Sequence, residues 1–410
     1  MTGQKPDADG AGRGLTAGGQ QDPGSRAGRR RPTAGGQRDP GPRVGVVAEQ
    51  LFGAVPGGIG RYVGELVRHL DAEAAAGGGA VSWLVARHPV EQVAAAGLPP
   101  ERTHALAWPG RLVTRAWVEL RRPRLPAGLA ADLDLVHATS AAVPPVRGRP
   151  LVATVHDVAF RHFPEAYPRS GRRFHERATR IAVAEAARVL VPSAATARDL
   201  AELYGLEPER VTVTPLGADP PSDPDPEPAR RLLERLGVRG PFLLAVGTLE
   251  PRKNLPRLVA AFAEAAGDLP EHHLVVVGPT GWGRALDTAP ARVVLAGAVE
   301  EAVLQGLYAA SEGLAYPSLY EGFGLPVLEA MARGLPVLTS DLSSMPEVAG
   351  GAALLVDPTD TSAIAKGLIE LLSNHALRER LVADGRRHAA AFTWRATAAA
   401  TWAAYQEALR

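Results

Sequence analysis

The chain has 410 residues, and its 45 basic and 44 acidic side chains leave a net charge of +1. At roughly 100 to 200 residues per domain, this length predicts two domains after an irregular start. The balanced charge excludes the basic excess typical of nucleic-acid binders, and the lack of cysteine excludes disulfides, zinc-thiolate sites and a cysteine nucleophile.

Residues 1–42 are a low-complexity segment rich in Gly, Arg, Pro and Gln, in which residues 16–26 return almost unchanged as 33–43. Such a composition cannot bury enough apolar surface to offset chain entropy, so we predict a disordered tail. The segment lacks the apolar region of a secretion signal, and no apolar stretch in the chain reaches the length of about 18 residues that a membrane span needs. We therefore expect a cytoplasmic protein.

The first half alternates apolar runs with helical patterns. A strand at 44–48 leads through the turn Pro56-Gly57-Gly58 into a helix whose apolar face is formed by Ile59, Val63, Leu66, Val67 and Leu70. Further strands are predicted at 81–86, 133–137, 151–156, 189–192 and 211–214. This order is typical of a parallel sheet covered on both faces.

A Pro-rich acidic segment at 219–228 is predicted to link this domain, 43–219, to a second one, 220–392. There the alternation resumes, with strands predicted at 242–246, 273–277, 293–296, 313–316, 336–339 and 353–356. Residues 393–410 form a terminal helical pattern, whose composition favours packing on its own domain.

Ligands of doubly wound sheets bind at the loops that follow the strands. After the strand at 242–246, Gly247 opens a loop that places Arg252 and Lys253 beside a helix start, where an anion would receive both cations and backbone N–H groups. Lysine is rare in this chain, so composition does not explain Lys253. The loop is therefore a candidate phosphate site.

A second loop runs from Glu321 to Glu329 after the strand at 313–316. Gly322 and Gly324 allow the backbone to approach a ligand, and Pro326 suits a first helical turn. The two glutamates can border one pocket and accept hydrogen bonds from sugar or ribose hydroxyls. A third loop, Pro56-Gly57-Gly58-Ile59-Gly60-Arg61, has neither the lysine of a P-loop nor the spacing of a dinucleotide fingerprint.

Other polar residues have weaker functional patterns. His156-Asp157 ends one predicted strand and His137 ends another, and a lone histidine at a strand end is more often structural than catalytic. Asp132 and Asp134 imitate an Asp-x-Asp metal motif but precede a buried strand, so solvated carboxylates are favoured.

From about residue 44 to the end, the chain resembles a family 4 retaining glycosyltransferase of the GT-B fold, in which two Rossmann-like domains face each other across a cleft. The resemblance is carried in family order by Gly57-Gly58, Pro192-Ser193, the stretch at 215–219, Arg252-Lys253-Asn254, the E-x7-E motif from Glu321 to Glu329, and Gly334-Leu-Pro-Val.

The resemblance implies roles for these positions. Arg252 and Lys253 would bind the donor diphosphate and stabilise its departure, while Glu321 would contact the transferred sugar and Glu329 the ribose. The backbone amides of Phe323, Gly324 and Leu325 would surround sugar and phosphate, and Gly57 and Gly58 would approach from the other domain. The His156-Asp157 pair is similar to that of mannosyltransferase-like members, which makes contact with the transferred sugar or the acceptor an even alternative to a structural role. The terminal helix would return to the first domain.

The sequence therefore predicts a metal-independent retaining hexosyltransferase without cofactor, using GDP-mannose in preference to UDP- or dTDP-sugars. The acceptor would be a saccharide, a lipid-linked sugar or a small molecule, and the basic segments 111–124 and 161–180 are candidates for peripheral membrane contact or an anionic acceptor. The alternatives are a nucleotide-sugar epimerase of the same fold and a non-catalytic nucleotide-sugar binding module.

Overall fold

The computed structural model describes residues 41–53, 57–218, 224–281 and 291–410. Almost all of the predicted tail, Pro56 and half of the predicted linker lie outside these residues. Within them, the strands form a seven-stranded and a six-stranded sheet, and neighbouring strands are parallel throughout.

The first sheet has the strand order β3-β2-β1-β4-β5-β6-β7. Its strands are β1 (Arg43–Val47), β2 (Ala80–Val85), β3 (Thr103–Ala105), β4 (Leu135–Ala138), β5 (Leu151–Thr154), β6 (Arg188–Val191) and β7 (Val211–Val213). The helices of this half are α1 (Gly57–Ala76), α2 (Val90–Ala95), α3 (Gly110–Leu120), α4 (Ala127–Asp132), α5 (Ala159–His162), α6 (Arg169–Glu185) and α7 (Ala194–Tyr204). Strands β4 and β5 are buried along their whole length, as expected for a sheet covered on both faces.

The second sheet has the order β10-β9-β8-β11-β12-β13. Its strands are β8 (Phe242–Val246), β9 (His273–Val277), β10 (Val293–Gly297), β11 (Gly313–Tyr316), β12 (Val337–Ser340) and β13 (Leu354–Val356). The helices are α8 (Glu227–Arg235), α9 (Leu255–Glu264), α10 (Glu301–Ala310), α11 (Leu325–Ala332), α12 (Met345–Ala349), α13 (Thr361–Ser373), α14 (His375–Ala389) and α15 (Trp394–Ala408). The predicted architecture of two doubly wound α/β sheets is confirmed.

Three local predictions were wrong. Pro228 lies in the first turn of α8 rather than in an irregular linker, because a helix start needs no N–H from proline. Strand β5 ends at Thr154, so Val155 and His156 belong to the loop that follows it. Ile59 is 38% exposed; it lies in the first turn of α1, where the neighbouring Gly58 faces Leu325 rather than the core of the first sheet.

The terminal helix α15 packs on the first half of the chain. Trp402 lies so close to Gly77 and Gly79 that a Cβ at either glycine would approach its ring to within 2.7–2.8 Å. The hydroxyl of Tyr405 pairs with Nδ1 of His137 at 2.7 Å, and Glu407 forms an ion pair with Arg188 at 3.1 Å. The composition of this helix favoured packing on its own domain. Composition carries no information about partners that lie so far away in the sequence.

His137 has a structural role in this contact. The ring is fully buried, its Nε2 pairs with the hydroxyl of Thr154 at 2.8 Å, and burial lowers its pKa to about 3, so the ring is neutral. His137 is therefore a buried structural histidine with both ring nitrogens hydrogen-bonded, the role expected from its position at a strand end.

Tyr405→Phe should lower the free energy of unfolding by about 1–3 kcal/mol, because Nδ1 of His137 would be left buried without a partner. Urea denaturation measures the change. Tyr204→Phe is the control, since its hydroxyl binds Glu176 at a partly exposed site where water can replace it. Equal effects of the two substitutions would contradict the assigned role of the buried pair.

Candidate active site

The loop after β8 directs two cations towards one point. Gly247 has a φ of +152°, and a Cβ there would lie 3.1 Å from Cε of Lys253, so glycine leaves room for the lysine side chain. A 3-10 turn over Pro251–Lys253 leads to Asn254, which is buried and in the left-handed region. The side-chain amide of Asn254 donates to the carbonyls of Pro317 and Pro358 at 3.0 and 2.7 Å, which fixes the loop against its neighbours.

Glu321 binds both cations. Its Oε2 accepts a hydrogen bond from Nη1 of Arg252 at 2.5 Å, and its Oε1 accepts one from Nζ of Lys253 at 2.6 Å. The hydroxyl of Tyr316 also donates to Oε1, at 2.9 Å, and contacts Nζ of Lys253. A second carboxylate, that of Glu250, lies 2.6 Å from Nη2 of Arg252. The predicted diphosphate-binding residues and the predicted sugar-binding glutamate therefore form one buried cluster.

The charges in this cluster depend on one another. Burial alone would raise the pKa of Glu321, but Arg252 and Lys253 outweigh it and lower that pKa to about 2. Burial lowers the pKa of Lys253, against the opposing effect of Glu321. Nε of Arg252 is buried and has no hydrogen-bond partner among the described residues. The cluster thus contains charged hydrogen-bond donors, and one of them, Nε of Arg252, lacks an acceptor in the described part of the chain. Such a donor is expected where an anionic ligand completes a site.

The loop from Glu321 to Leu325 presents backbone amides at the start of a helix. Gly324 has a φ of +110°, and α11 begins at the next residue. The hydroxyl of Ser344 donates to the carbonyls of Glu321 and Phe323 at 2.9 and 2.8 Å, which holds this turn. The first N–H groups of a helix have no acceptor within it and favour a negative ligand. Phe323 is 5% exposed and packs near Phe392, so only its backbone is available to such a ligand.

Glu329 is buried in α11 and is bonded from both halves of the chain. The hydroxyl of Tyr308 donates to its Oε2 at 3.0 Å, and Nη1 of Arg61 in α1 donates to its Oε1. Burial raises the pKa of Glu329, and Arg61 opposes that rise. Neither Arg61 nor Tyr308 was assigned a role from the sequence, although Arg61 is the last residue of the Gly-rich third loop.

Gly322 lies in close backbone contact with the first half of the chain. A Cβ at Gly322 would lie 2.0 Å from the carbonyl oxygen of His156 and 2.9 Å from Cβ of Asp157. The carbonyl of Gly322 accepts hydrogen bonds from the hydroxyls of Ser193, at 2.6 Å, and Thr196, at 3.2 Å. His156 and Asp157 therefore lie directly beside the Glu321 loop. Nε2 of His156 lies 3.0 Å from the carbonyl of Thr139 and is engaged there.

Two further contacts between the two halves of the chain were not predicted from the sequence. Glu347 accepts hydrogen bonds from the N–H groups of Ala194 and Ala195, at 2.8 and 3.3 Å, at the start of α7. The hydroxyl of Tyr320 donates to Asp199 at 2.7 Å. A carboxylate at a helix N-terminus is a familiar cap, but the sequence gives no indication that it comes from 153 residues away.

The remaining predicted residues lie near the cluster or apart from it. Gly58 faces the start of α11, since a Cβ there would lie 3.8 Å from Leu325, whereas a Cβ at Gly57, which has a φ of +56°, would have no atom of the described residues this close. Asp132 is exposed beside Arg43, and Asp134 accepts a hydrogen bond from the N–H of Arg43 at 2.9 Å. Among the described residues, no three His, Cys, Asp or Glu side chains are grouped as a metal site.

Comparisons with known proteins determine the family. Residues 56–221 match the family model Glycosyltransferase Family 4, and residues 240–374 match Glycosyl transferases group 1. Over 266 residues the chain is 32% identical to O-antigen chain mannosyltransferase B of Escherichia coli, covering 62% of this chain and 70% of that one. The chain belongs to glycosyltransferase family 4. A second relative of this glycosyltransferase is the MMP alpha-(1->4)-mannosyltransferase of Mycolicibacterium hassiacum, 31% identical over 71% of this chain and 74% of the other.

Solved structures show that the glycosyltransferase has the GT-B fold. Sucrose-phosphate synthase from Thermosynechococcus elongatus superimposes with a TM-score of 0.66 at 22% identity, covering 89% of this chain and 98% of that one. Anabaena HepE, solved in complex with UDP-glucose, gives 0.65 at 19% identity, covering 89% and 99%. At these identities the likeness concerns the fold alone.

Proposed function

We propose that this glycosyltransferase transfers mannose from GDP-mannose to a saccharide, lipid-linked or small-molecule acceptor, with retention of configuration and without a metal or other cofactor. The observation that carries the proposal is the buried cluster in which Arg252 and Lys253 both bind Glu321. Mannose is favoured because two relatives are named mannosyltransferases, and a nucleotide diphosphate sugar because HepE was solved with UDP-glucose.

The cluster suits departure of a nucleoside diphosphate. When the bond between the sugar C1 and the β-phosphate oxygen breaks, negative charge develops on the phosphate. Arg252 and Lys253 are fixed donors for that charge, and such preorganised electrostatics is often the largest catalytic contribution. Because two protein cations supply the compensating charge, the reaction needs no metal ion.

The acceptor oxygen would form its bond to C1 on the face that the diphosphate leaves. Its proton would pass to an oxygen of the departing phosphate, so no covalent sugar–enzyme intermediate is needed. Asp157 is the side chain best placed to touch the sugar or acceptor, because its Cβ lies close to Gly322 in the loop that holds Glu321. Glu329 would accept the ribose hydroxyls.

A panel of sugar nucleotides, measured in EDTA, tests the donor and the metal requirement together. GDP-mannose should raise the melting temperature most, because a specific ligand stabilises the folded state by mass action. With a mannoside acceptor, NMR should show an α-linked product. Stabilisation only by UDP- or dTDP-sugars would contradict the donor assignment, a β-linked product would contradict retention, and turnover without acceptor would indicate an epimerase.

A peripheral contact with the inner face of a membrane belongs to the same proposal and implies a cytoplasmic location. Trp108, which precedes α3, and Leu112 and Leu120 within it are 41%, 57% and 66% exposed, and Arg115, Arg122 and Arg124 are exposed near them in sequence. Apolar and basic side chains together favour an anionic lipid surface. Among the described residues, no helix is long and apolar enough to cross a membrane. Co-sedimentation with anionic but not zwitterionic vesicles is the expected result.

A further inference from the structure

Both carboxylate oxygens of Glu329 are already hydrogen-bonded. Tyr308 donates to Oε2 from within the same domain, and Arg61 donates to Oε1 from the opposite domain. The side chain of Glu329 is only 6% exposed, so little space remains beside these oxygens. A ribose diol cannot reach the carboxylate while both partners stay in place.

Arg61 is the partner that can leave. Tyr308 is fully buried in α10, and moving its ring would open the core. Arg61 is a long side chain at the start of α1, 28% exposed, with a further carboxylate, that of Glu301, 3.6 Å from its Nη1. Glu301 is itself well exposed and can retain the guanidinium near the site once Glu329 is released.

We propose that Arg61 occupies the place of the ribose hydroxyls on Glu329, and that a ribonucleotide donor binds by displacing it. The inference rests on the assignment of Glu329 to the ribose under Proposed function and adds a residue that competes with the ribose. A ribose offers two hydroxyls in exchange for the guanidinium. A nucleotide that lacks them gains nothing by displacing Arg61 and leaves the ion pair in place, so only the binding of a ribonucleotide has to break it.

The test is calorimetric titration of the wild type and of Arg61→Met with GDP, 2′,3′-dideoxy-GDP and inorganic pyrophosphate. The titrations are run at alkaline pH, so that Glu329, whose pKa burial raises, is ionised in both proteins. Arg61→Met should bind GDP about tenfold more tightly or better, because a hydrogen bond to a charged group no longer competes. Binding of dideoxy-GDP and pyrophosphate should be unchanged.

Arg68→Met is the matched control. Arg68 lies two turns further along α1, is 70% exposed and pairs with Glu65, so its removal should leave all three affinities as in the wild type. Melting temperatures verify that each variant is folded. Unchanged GDP affinity in Arg61→Met would overturn the inference. Weaker binding of GDP and pyrophosphate alike would also overturn it, because it would show Arg61 to be a phosphate ligand.

Comparison of the three ligands in both proteins separates this inference from the proposed function. Equal affinity for GDP and dideoxy-GDP in the wild type and in Arg61→Met alike would contradict the assignment of Glu329 to the ribose. Failure of pyrophosphate to bind would contradict the assignment of Arg252 and Lys253. If the wild type prefers GDP and binds pyrophosphate while Arg61→Met changes neither, the proposed function stands and displacement of Arg61 is disproved.

Discussion

Lys253→Met should reduce kcat by about 10²- to 10³-fold, the loss typical of removing one preorganised donor from a developing negative charge. Methionine retains most of the volume of the side chain and its fit beside Gly247, but removes the charge. The Lys253 side chain is only 10% exposed, so water has little room to replace its ammonium group, and its Nζ lies 2.6 Å from Oε1 of Glu321 at the centre of the cluster. Steady-state kinetics at saturating donor measure the loss.

A drop in rate could also arise because Glu321 loses one of its cations and moves. The double variant Lys253→Met/Glu321→Gln addresses this, because it removes the stranded charge together with its partner. It should be no more active than Lys253→Met if the cation itself stabilises the leaving group. Lys366→Met, at an exposed site on α13, should keep wild-type kcat. Wild-type kcat in Lys253→Met would contradict the phosphate assignment.

Most of the fold was predictable because parallel strands buried on both faces must be short apolar runs. Strands β8, β9 and β11 begin and end at the predicted residues. Strand β3 was missed for the converse reason. Its sequence, Thr103-His104-Ala105, has no apolar run, and it lies at the edge of the sheet, where β2 alone of the described strands pairs with it. Hydrogen bonding to a neighbour, rather than burial of its own side chains, defines this strand.

The site was predictable at the level of loops. Loops after parallel strands converge at one edge of a sheet, so Arg252, Lys253 and Glu321 could be expected near one another. Their pairing depends on a 3-10 turn and on the left-handed Asn254, which the sequence pattern does not indicate. The pair of Arg61 with Glu329 joins residues 268 positions apart, and only the packing of the two domains brings them together.

The same packing makes Gly322 a position where one methyl group should sharply reduce kcat. In Gly322→Ala the new Cβ would lie 2.0 Å from the carbonyl oxygen of His156, and real Cβ contacts essentially never fall under 3.0 Å. The loop and the first domain must separate by about 1 Å, and the hydrogen bond from Ser193 to the Gly322 carbonyl weakens with them. Because the adjacent Glu321 holds both cations, kcat should fall about 10²-fold or more, the cost of a displacement of this size in an active site.

The effect should differ from unfolding and from loss of the cations. Lys253 and Arg252 remain, so pyrophosphate should still bind to Gly322→Ala, although sugar transfer is slowed. Gly128→Ala in α4 is the control, because a Cβ there meets no atom within 4 Å and alanine is tolerated in a helix. It should keep wild-type kcat and melting temperature. A Gly322→Ala enzyme with wild-type kcat would show that catalysis does not require the close contact between the two domains, and the assignment of Asp157 to the reacting sugar or acceptor would fail with it.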